Sequence, residues 1–295
     1  MQLFKCCIYY QLRSIRGNYR IFNILCCYII DNTIIHLYLY LHFPYSIHIG
    51  HDTLLLHGIM EFIGIFVAYR YYLWLRKKQG DIVEKEHRIF VVIGACLGAV
   101  LGARILGSLE DIPAWRSSSS PLLYFYGNKT LVGGLLGGLA GVELMKKVIG
   151  VRQNTGDLFV FPLILGMMIG RTGCFSAGIY EETYGVPTRL PWAMDLGDGI
   201  MRHPVTLYEI LFLLLLWIAL YRIHTQYVLQ QGALFKLFLM SYLLFRFLLD
   251  FIKPGWKYFF GLGTIQLSCL AGLLYYARYI IHPQLLIISK RIYAR

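Results

Sequence analysis

The sequence predicts an all-α protein, a polytopic transmembrane helix bundle of about seven spans. Three observations predict it. The chain of 295 residues is 57% hydrophobic and only 15% charged, where soluble domains carry roughly 25% charged residues, so the bilayer is its solvent. Seven segments are apolar for long enough to cross, roughly 54–75, 89–107, 130–149, 157–171, 206–222, 232–251 and 264–282. Every second connection is basic, as expected of a chain that passes back and forth with Lys and Arg retained on one side.

Ahead of the first span, residues 1–43 form a hydrophobic extension, set apart from a transmembrane domain at 44–295. Its apolar run is interrupted by Asp31 and Asn32 and preceded by Lys5, Arg13, Arg16 and Arg20. It reads as an eighth span, a signal-like segment or an appended, weakly ordered helix, the last being favoured. The first span ends in Arg76, Lys77 and Lys78. The third is followed by Lys146, Lys147 and Arg152, the fifth ends at Arg222, and the seventh precedes Lys290, Arg291 and Arg295. These alternate connections share a side, which the positive-inside rule makes the cytoplasm. The C-terminus is then inside and the long connection 178–204 outside. The net charge of +12 has the same origin, together with contact to anionic lipid. No basic face interleaved with aromatics supports a nucleic-acid partner.

Glycines recur four apart at Gly94, Gly98 and Gly102 in the second span, and as Gly133/Gly137 and Gly134/Gly138 in the third. This spacing suits close helix packing. GGLLGG has neither the strand-turn-helix context nor the lysine of a nucleotide loop. The seven cysteines are Cys6, Cys7, Cys26, Cys27, Cys96, Cys174 and Cys269. They show no metal-ligand spacing, so no metal and no cofactor is expected. Cys96, Cys174 and Cys269 read as small buried residues.

The polar residues are harder to explain by packing. Arg171, in GRTGCF, closes the apolar run of the fourth span. Arg104 is near the outer end of the second, Arg202-His203-Pro204 precedes the fifth, and Arg246 lies in the outer half of the sixth. Arg246, Asp250 and Lys253 fall at i, i+4, i+7, one helical face. Any one arginine could snorkel to the interface, and Arg246 could simply pair with Asp250. Four converging at headgroup depth suit a phosphate, because the guanidinium fork grips it bidentately. An anionic phospholipid is the natural ligand.

At these residues the chain resembles the bacterial phosphatidylglycerol–prolipoprotein diacylglyceryl transferase family, over residues 44–282. GRTGCF resembles the signature around an essential arginine, here Arg171. GVPTRLPWAMD resembles the segment that follows, and RHPVTLYE (Arg202 to Glu209) the family's R-H-P-x-Q-L-Y-E. FRFLLDFIKP resembles R-F-x-x-E-x-x-R, with Arg246 as the second key arginine, and GTIQL around Gln266 a late L-T-x-G-Q. The departures are specific. The histidine of H-G-G-L-x-G is Val132, the asparagine before Gly178 is Ala177, and the glutamine of the RHP motif is Thr206. The glutamate and second arginine near Arg246 are Asp250 and Lys253. His57, in LHGIM, stands where the family often has tyrosine.

The resemblance implies an enzyme of the bacterial cytoplasmic (inner) membrane, with its site facing outward. It would move diacylglyceryl from phosphatidylglycerol to a cysteine thiol of a lipoprotein precursor peptide, releasing glycerol phosphate. Arg171 and Arg246 would stabilise the leaving phosphate. Gly133, Gly134 and Gly173 would allow close approach. Arg104, Arg202, Tyr208, Glu209, Asp250 and Gln266 would line the substrate site. A proton acceptor for the thiol is missing at Val132, leaving His57, with Glu61 one turn on, and His203 as candidates. Two other readings use the same residues. One is a phospholipid-binding protein of this fold that has lost or altered transfer. The other is an anion transporter, for which no internal repeat speaks.

Overall fold

The computed structural model describes residues 43–44, 46–49 and 52–290, which belong to one compact unit. The expected extension at 1–43 lies, but for Phe43, outside the described residues. The unit is mostly helical. A hairpin of β1 (Ser46–Ile49) and β2 (Asp52–Leu55) leads into α1 (Leu56–Gln79). Then come α2 (Lys85–Ser108), two short helices α3 (Ile112–Ser117) and α4 (Pro121–Gly127), and α5 (Leu131–Ile149). After these follow α6 (Val160–Ala177), α7 (Val205–Gln226), α8 (Ala233–Leu249), α9 (Thr264–Tyr275) and α10 (Ala277–Ile281). Helices α1, α2, α5, α6, α7, α8 and α9 lie where the seven apolar segments were expected. Three segments, Lys85–Ser108, Asp157–Tyr180 and Val205–Gln226, are long and apolar enough to cross a membrane by length and composition alone.

Two helix pairs are joined by backbone rather than by side chains. Gly94, Gly98 and Gly102 of α2 face Gly141, Gly137 and Gly133 of α5, and a Cβ at any of them would run into the opposing carbonyl or Cα. Gly64 of α1 meets Gly166 of α6 in the same way. Small residues let helices approach until their backbones touch, which in a bilayer replaces the hydrophobic drive to associate. The opposite face of α2 presents Ile93, Leu97, Val100 and Leu101 outward, and α1 does the same with Phe62 and Ile65, both above 70% exposed. Apolar surface on that scale belongs against acyl chains. The core lies around α8, where Phe238, Leu239, Tyr242 and Leu243 are fully buried against Ile164 of α6, Leu213 of α7 and Cys269 of α9.

Polar bonds fasten both ends of the bundle. At one end Asp81 holds Arg76 (2.8 Å) and Arg88, and Arg88 donates to the carbonyl of Thr155 (3.1 Å). Asp157 accepts from the amides of Gly232 and Phe235 at the start of α8. Strand β5 (Tyr227–Leu229) pairs antiparallel with β6 (Ile287–Lys290). The basic connections thus meet at one end. At the other end the 178–204 connection folds back as β3 (Met194–Asp195) on β4 (Met201–Arg202).

Three boundaries differ from the hydropathy pattern. The fourth span continues to Ala177, so GRTGCF lies within α6. The small residues Gly173, Cys174, Ser176 and Ala177 stay buried, and the turn comes only at Gly178, whose φ of 62° suits glycine. Helix α8 stops at Leu249 and residues 250–252 tighten into a 3-10 turn, which takes Lys253 off the face it was expected to share with Arg246. The seventh span breaks at Tyr276. Helices α3 and α4 are not announced by hydropathy. Local capping makes them: Asp111 accepts from the amide of Ala114 (2.9 Å), and a proline opens each helix.

Candidate functional site

Glu209 sits one turn into α7 with its carboxylate 1% exposed. A buried carboxylate needs cations and donors, and two neighbouring helices supply them. Arg171 of α6 places Nε 2.9 Å from Glu209 Oε2, and Arg246 of α8 places Nη1 3.5 Å from the same oxygen. Tyr242, one turn before Arg246, donates its hydroxyl to Oε1 at 2.6 Å. Helix α6 is short of bulk here, and its Arg171 reaches inward to α7 and α8 instead of out to the interface.

The two guanidiniums hold few partners for their number of donors. A guanidinium carries five N–H donors. Among the described residues the hydrogen bonds of Arg171 reduce to Nη1 on Cys174 Sγ (3.6 Å), and those of Arg246 to Nη1 on Glu209. Both Nε atoms are buried without a hydrogen-bond partner, that of Arg171 despite lying 2.9 Å from the Glu209 carboxylate. Buried donors are normally satisfied, and this pair keeps donors in reserve for a further acceptor.

A second polar layer continues from Arg246. Asp250 lies 4.0 Å from Arg246 and 3.5 Å from Lys257 Nζ. Lys257 also reaches Gln266 Oε1 (3.5 Å), and Gln266, fully buried, caps the amide of Gly263 (2.9 Å) and donates to the carbonyl of Phe247 (3.4 Å). Lys253 is buried nearby. Burial holds its ammonium below the usual lysine range, and burial likewise pushes the Glu110 carboxyl up.

On the α1 side, Gly173 lets the backbone of α6 close on His57 and Met60. His57 Nε2 is 3.0 Å from Glu181 and 3.5 Å from Glu61, and Lys129 clasps both oxygens of Glu61 at 2.5 and 2.6 Å. Cys174, the residue after Gly173, has its Sγ 3.6 Å from Arg171 Nη1, so His57 and Arg171 flank the same stretch of α6.

The structure thus brings together Arg171, Arg246, Glu209, Asp250 and Gln266, with His57 and Gly173 beside them. It does not bring in the rest. Arg104 donates to the carbonyls of Tyr126 and Asn128. Arg202 is clamped by Asp198 (2.8 and 2.6 Å) and lies over the Tyr184 ring, and the clamp holds the half-buried Asp198 carboxyl below its usual range. His203 contacts the Tyr208 hydroxyl (3.2 Å), which accepts from Trp192 (2.7 Å). Gly133 is taken up by the seam with Gly102, and Gly134 stands beside Ala103. Val132, where the resemblance has histidine, is 1% exposed in the apolar core. Sequence reasoning missed Tyr242, Lys257, Glu181 and Lys129. Tyr242 could have been found one turn before Arg246 on the same face. The other three lie in connections, where no periodicity points to them. Among the described residues no group of three or more His, Cys, Asp or Glu is placed to hold a metal ion.

Residues 44–282 match the protein family described as prolipoprotein diacylglyceryl transferase. Curated relatives named phosphatidylglycerol–prolipoprotein diacylglyceryl transferase include one from Bordetella parapertussis, 34% identical over 76% of this chain and 87% of its own. Others come from Geobacter sulfurreducens, 30% identical over 78% and 86%, and Cupriavidus metallidurans, 29% identical over 76% and 85%. A match over most of the chain, in relatives covered nearly end to end, is a family relationship: this chain belongs to the prolipoprotein diacylglyceryl transferase family.

Proposed function

We infer that this chain is a membrane transferase that moves diacylglyceryl from phosphatidylglycerol to the cysteine thiol of a lipoprotein precursor. The observation that carries the reading is the pair of buried guanidiniums with uncommitted donors around Glu209. As the thiol displaces the lipid's phosphate, charge gathers on the leaving oxygen. Donors already fixed in a water-poor site stabilise that charge without having to reorganise. The headgroup phosphate would sit where Arg171 and Arg246 both reach it, each able to present two parallel N–H groups. Glu209 holds the two like charges together while the lipid is absent, and Tyr242 holds Glu209.

The names of the relatives support the donor and acceptor, and the apolar helix surfaces support the membrane. By the distribution of basic connections the site faces outward from a cytoplasmic membrane. The test is transfer by purified protein in proteoliposomes containing labelled phosphatidylglycerol, with a lipobox peptide as acceptor. A diacylglyceryl thioether on the peptide, with release of glycerol phosphate, is expected. No transfer under conditions where the Bordetella relative is active would refute the reading.

A further inference from the structure

We propose that His57 accepts the proton of the acceptor thiol and that Glu181 is its positioning residue, so that the pair completes the site begun by the two arginines. The inference rests on the transferase reading above. Transfer needs a thiolate, since the thiol is a poor nucleophile, and this chain has an apolar valine at position 132. Three other ionisable groups around the cluster are engaged. Glu209 serves both arginines, Asp250 serves Arg246 and Lys257, and His203 is tied to Tyr208 and Trp192.

His57 differs. It is about nine-tenths buried, and neither ring nitrogen has a hydrogen-bond partner among the described residues. Of the two carboxylates near Nε2, Glu181 at 3.0 Å is closer than Glu61 at 3.5 Å. A carboxylate at one ring nitrogen favours the tautomer with the proton there and the lone pair on the other. The groups that face the ring are Glu61 on its own helix, Cys174 on α6 and Glu181 from the connection after α6. Lys129 already clasps Glu61, whereas Glu181 makes no other ion pair among the described residues. Glu181 is therefore the carboxylate free to orient the imidazole.

The placement relative to Arg171 is the second support. Gly173 of α6 closes on the His57 backbone, and the next residue, Cys174, has its Sγ 3.6 Å from Arg171 Nη1. His57 and Arg171 therefore meet the same stretch of α6, the imidazole on one side and the guanidinium on the other. In the step, the S–H proton passes to Nδ1 and the sulfur forms a bond to the diacylglyceryl methylene. The C–O bond to phosphate breaks, and its electron pair leaves on glycerol phosphate held by Arg171 and Arg246. The proton on His57 is then lost to water.

The test uses the full chain in proteoliposomes with phosphatidylglycerol and a lipobox peptide. His57→Gln should lower kcat by ~10²–10⁴-fold, the usual worth of a positioned base, with KM for the lipid unchanged because the arginines are intact. Glu181→Gln should lose less and shift the acidic limb of the kcat/KM–pH profile to lower pH, since an anion favouring the charged ring has gone. Glu181→Asp should restore the limb. A merely structural role would scale the profile down without moving it, and that result overturns the proposal. So does an active wild type whose rate survives His57→Gln. If His57→Gln does not insert, the pH profile of Glu181→Gln decides, because that side chain is one-third exposed. A wild type that transfers nothing refutes the transferase reading itself, and this proposal with it.

Discussion

Replacing Glu209 by glutamine removes one charge and almost no volume. The amide oxygen can still accept from Tyr242, so the hydrogen bond at 2.6 Å survives. What goes is the anion at 2.9 Å from Arg171 and 3.5 Å from Arg246. Two guanidiniums, both largely buried, then face each other, with Asp250 at 4.0 Å from Arg246 as the remaining carboxylate beside them. Breaking a buried ion pair by removing one partner costs about 3–5 kcal/mol. Glu209→Gln should lose stability on that scale in thermal unfolding of the purified protein in detergent. The vacated site should also recruit an anion. Inorganic phosphate should therefore raise the unfolding temperature of Glu209→Gln more than that of wild type, following the linkage of ligand binding to stability. A variant as stable as wild type and indifferent to phosphate would show that Glu209 is not the counter-ion of the two arginines, and the phosphate cradle would go with it.

The remaining expectations concern the arginines, the seam and the two ends. Arg171→Lys and Arg246→Lys should each insert normally yet lose ~10²–10³ in transfer rate, because an ammonium cannot reproduce the fork; full activity in both removes the bidentate grip. Gly98→Leu should destabilise the protein by at least the ~1–3 kcal/mol typical of overpacking, since its side chain would enter the Gly137 backbone. Gly138→Ala, whose Cβ meets only ordinary contacts, should unfold at the wild-type temperature. Burial alone would raise the Asp81 carboxyl, but Arg88 and the amide of Val83, aided by Arg76, hold it below the usual carboxylate range. Its contribution is then present above the unfolded carboxyl pKa and lost as acid protonates the folded form, and an acid titration of stability should lose that component in Asp81→Asn. In a background without the native cysteines, a probe at Asp198 should label from outside and one at Lys78 should not.

The helices were legible because their signal is composition over many residues. Seven apolar segments and the four-residue glycine spacing follow from what lipid and helix packing demand of every position. Boundaries were less legible. Arg171 looked like the end of a span because hydropathy falls there, whereas the helix continues on small residues whose burial against α1 is a tertiary fact. The site divides in the same way. Arg171, Glu209, Arg246, Asp250 and Gln266 lie in or beside spans where a charge or amide is conspicuous. Arg104 and Arg202 were equally conspicuous, but the carbonyls at the end of α4 and the Asp198 carboxylate claim them, and those partners are set by the fold of connections. Glu181 and Lys129 gave no signal, because only the meeting of α1, α6 and α5 gives them partners.

The bare seam between α2 and α5 bears on how such a sequence can drift. On α2, Ile93, Leu97, Val100 and Leu101 answer only to acyl chains, which select for oiliness and not for a particular shape. One aliphatic letter there is as good as another. Gly94, Gly98 and Gly102 answer to a carbonyl already in contact, and no other residue fits. Divergence to about a third identity, as between this chain and its Bordetella relative, can therefore rewrite most of such a helix while its axis stays in place, steered by three residues that have no side chain at all.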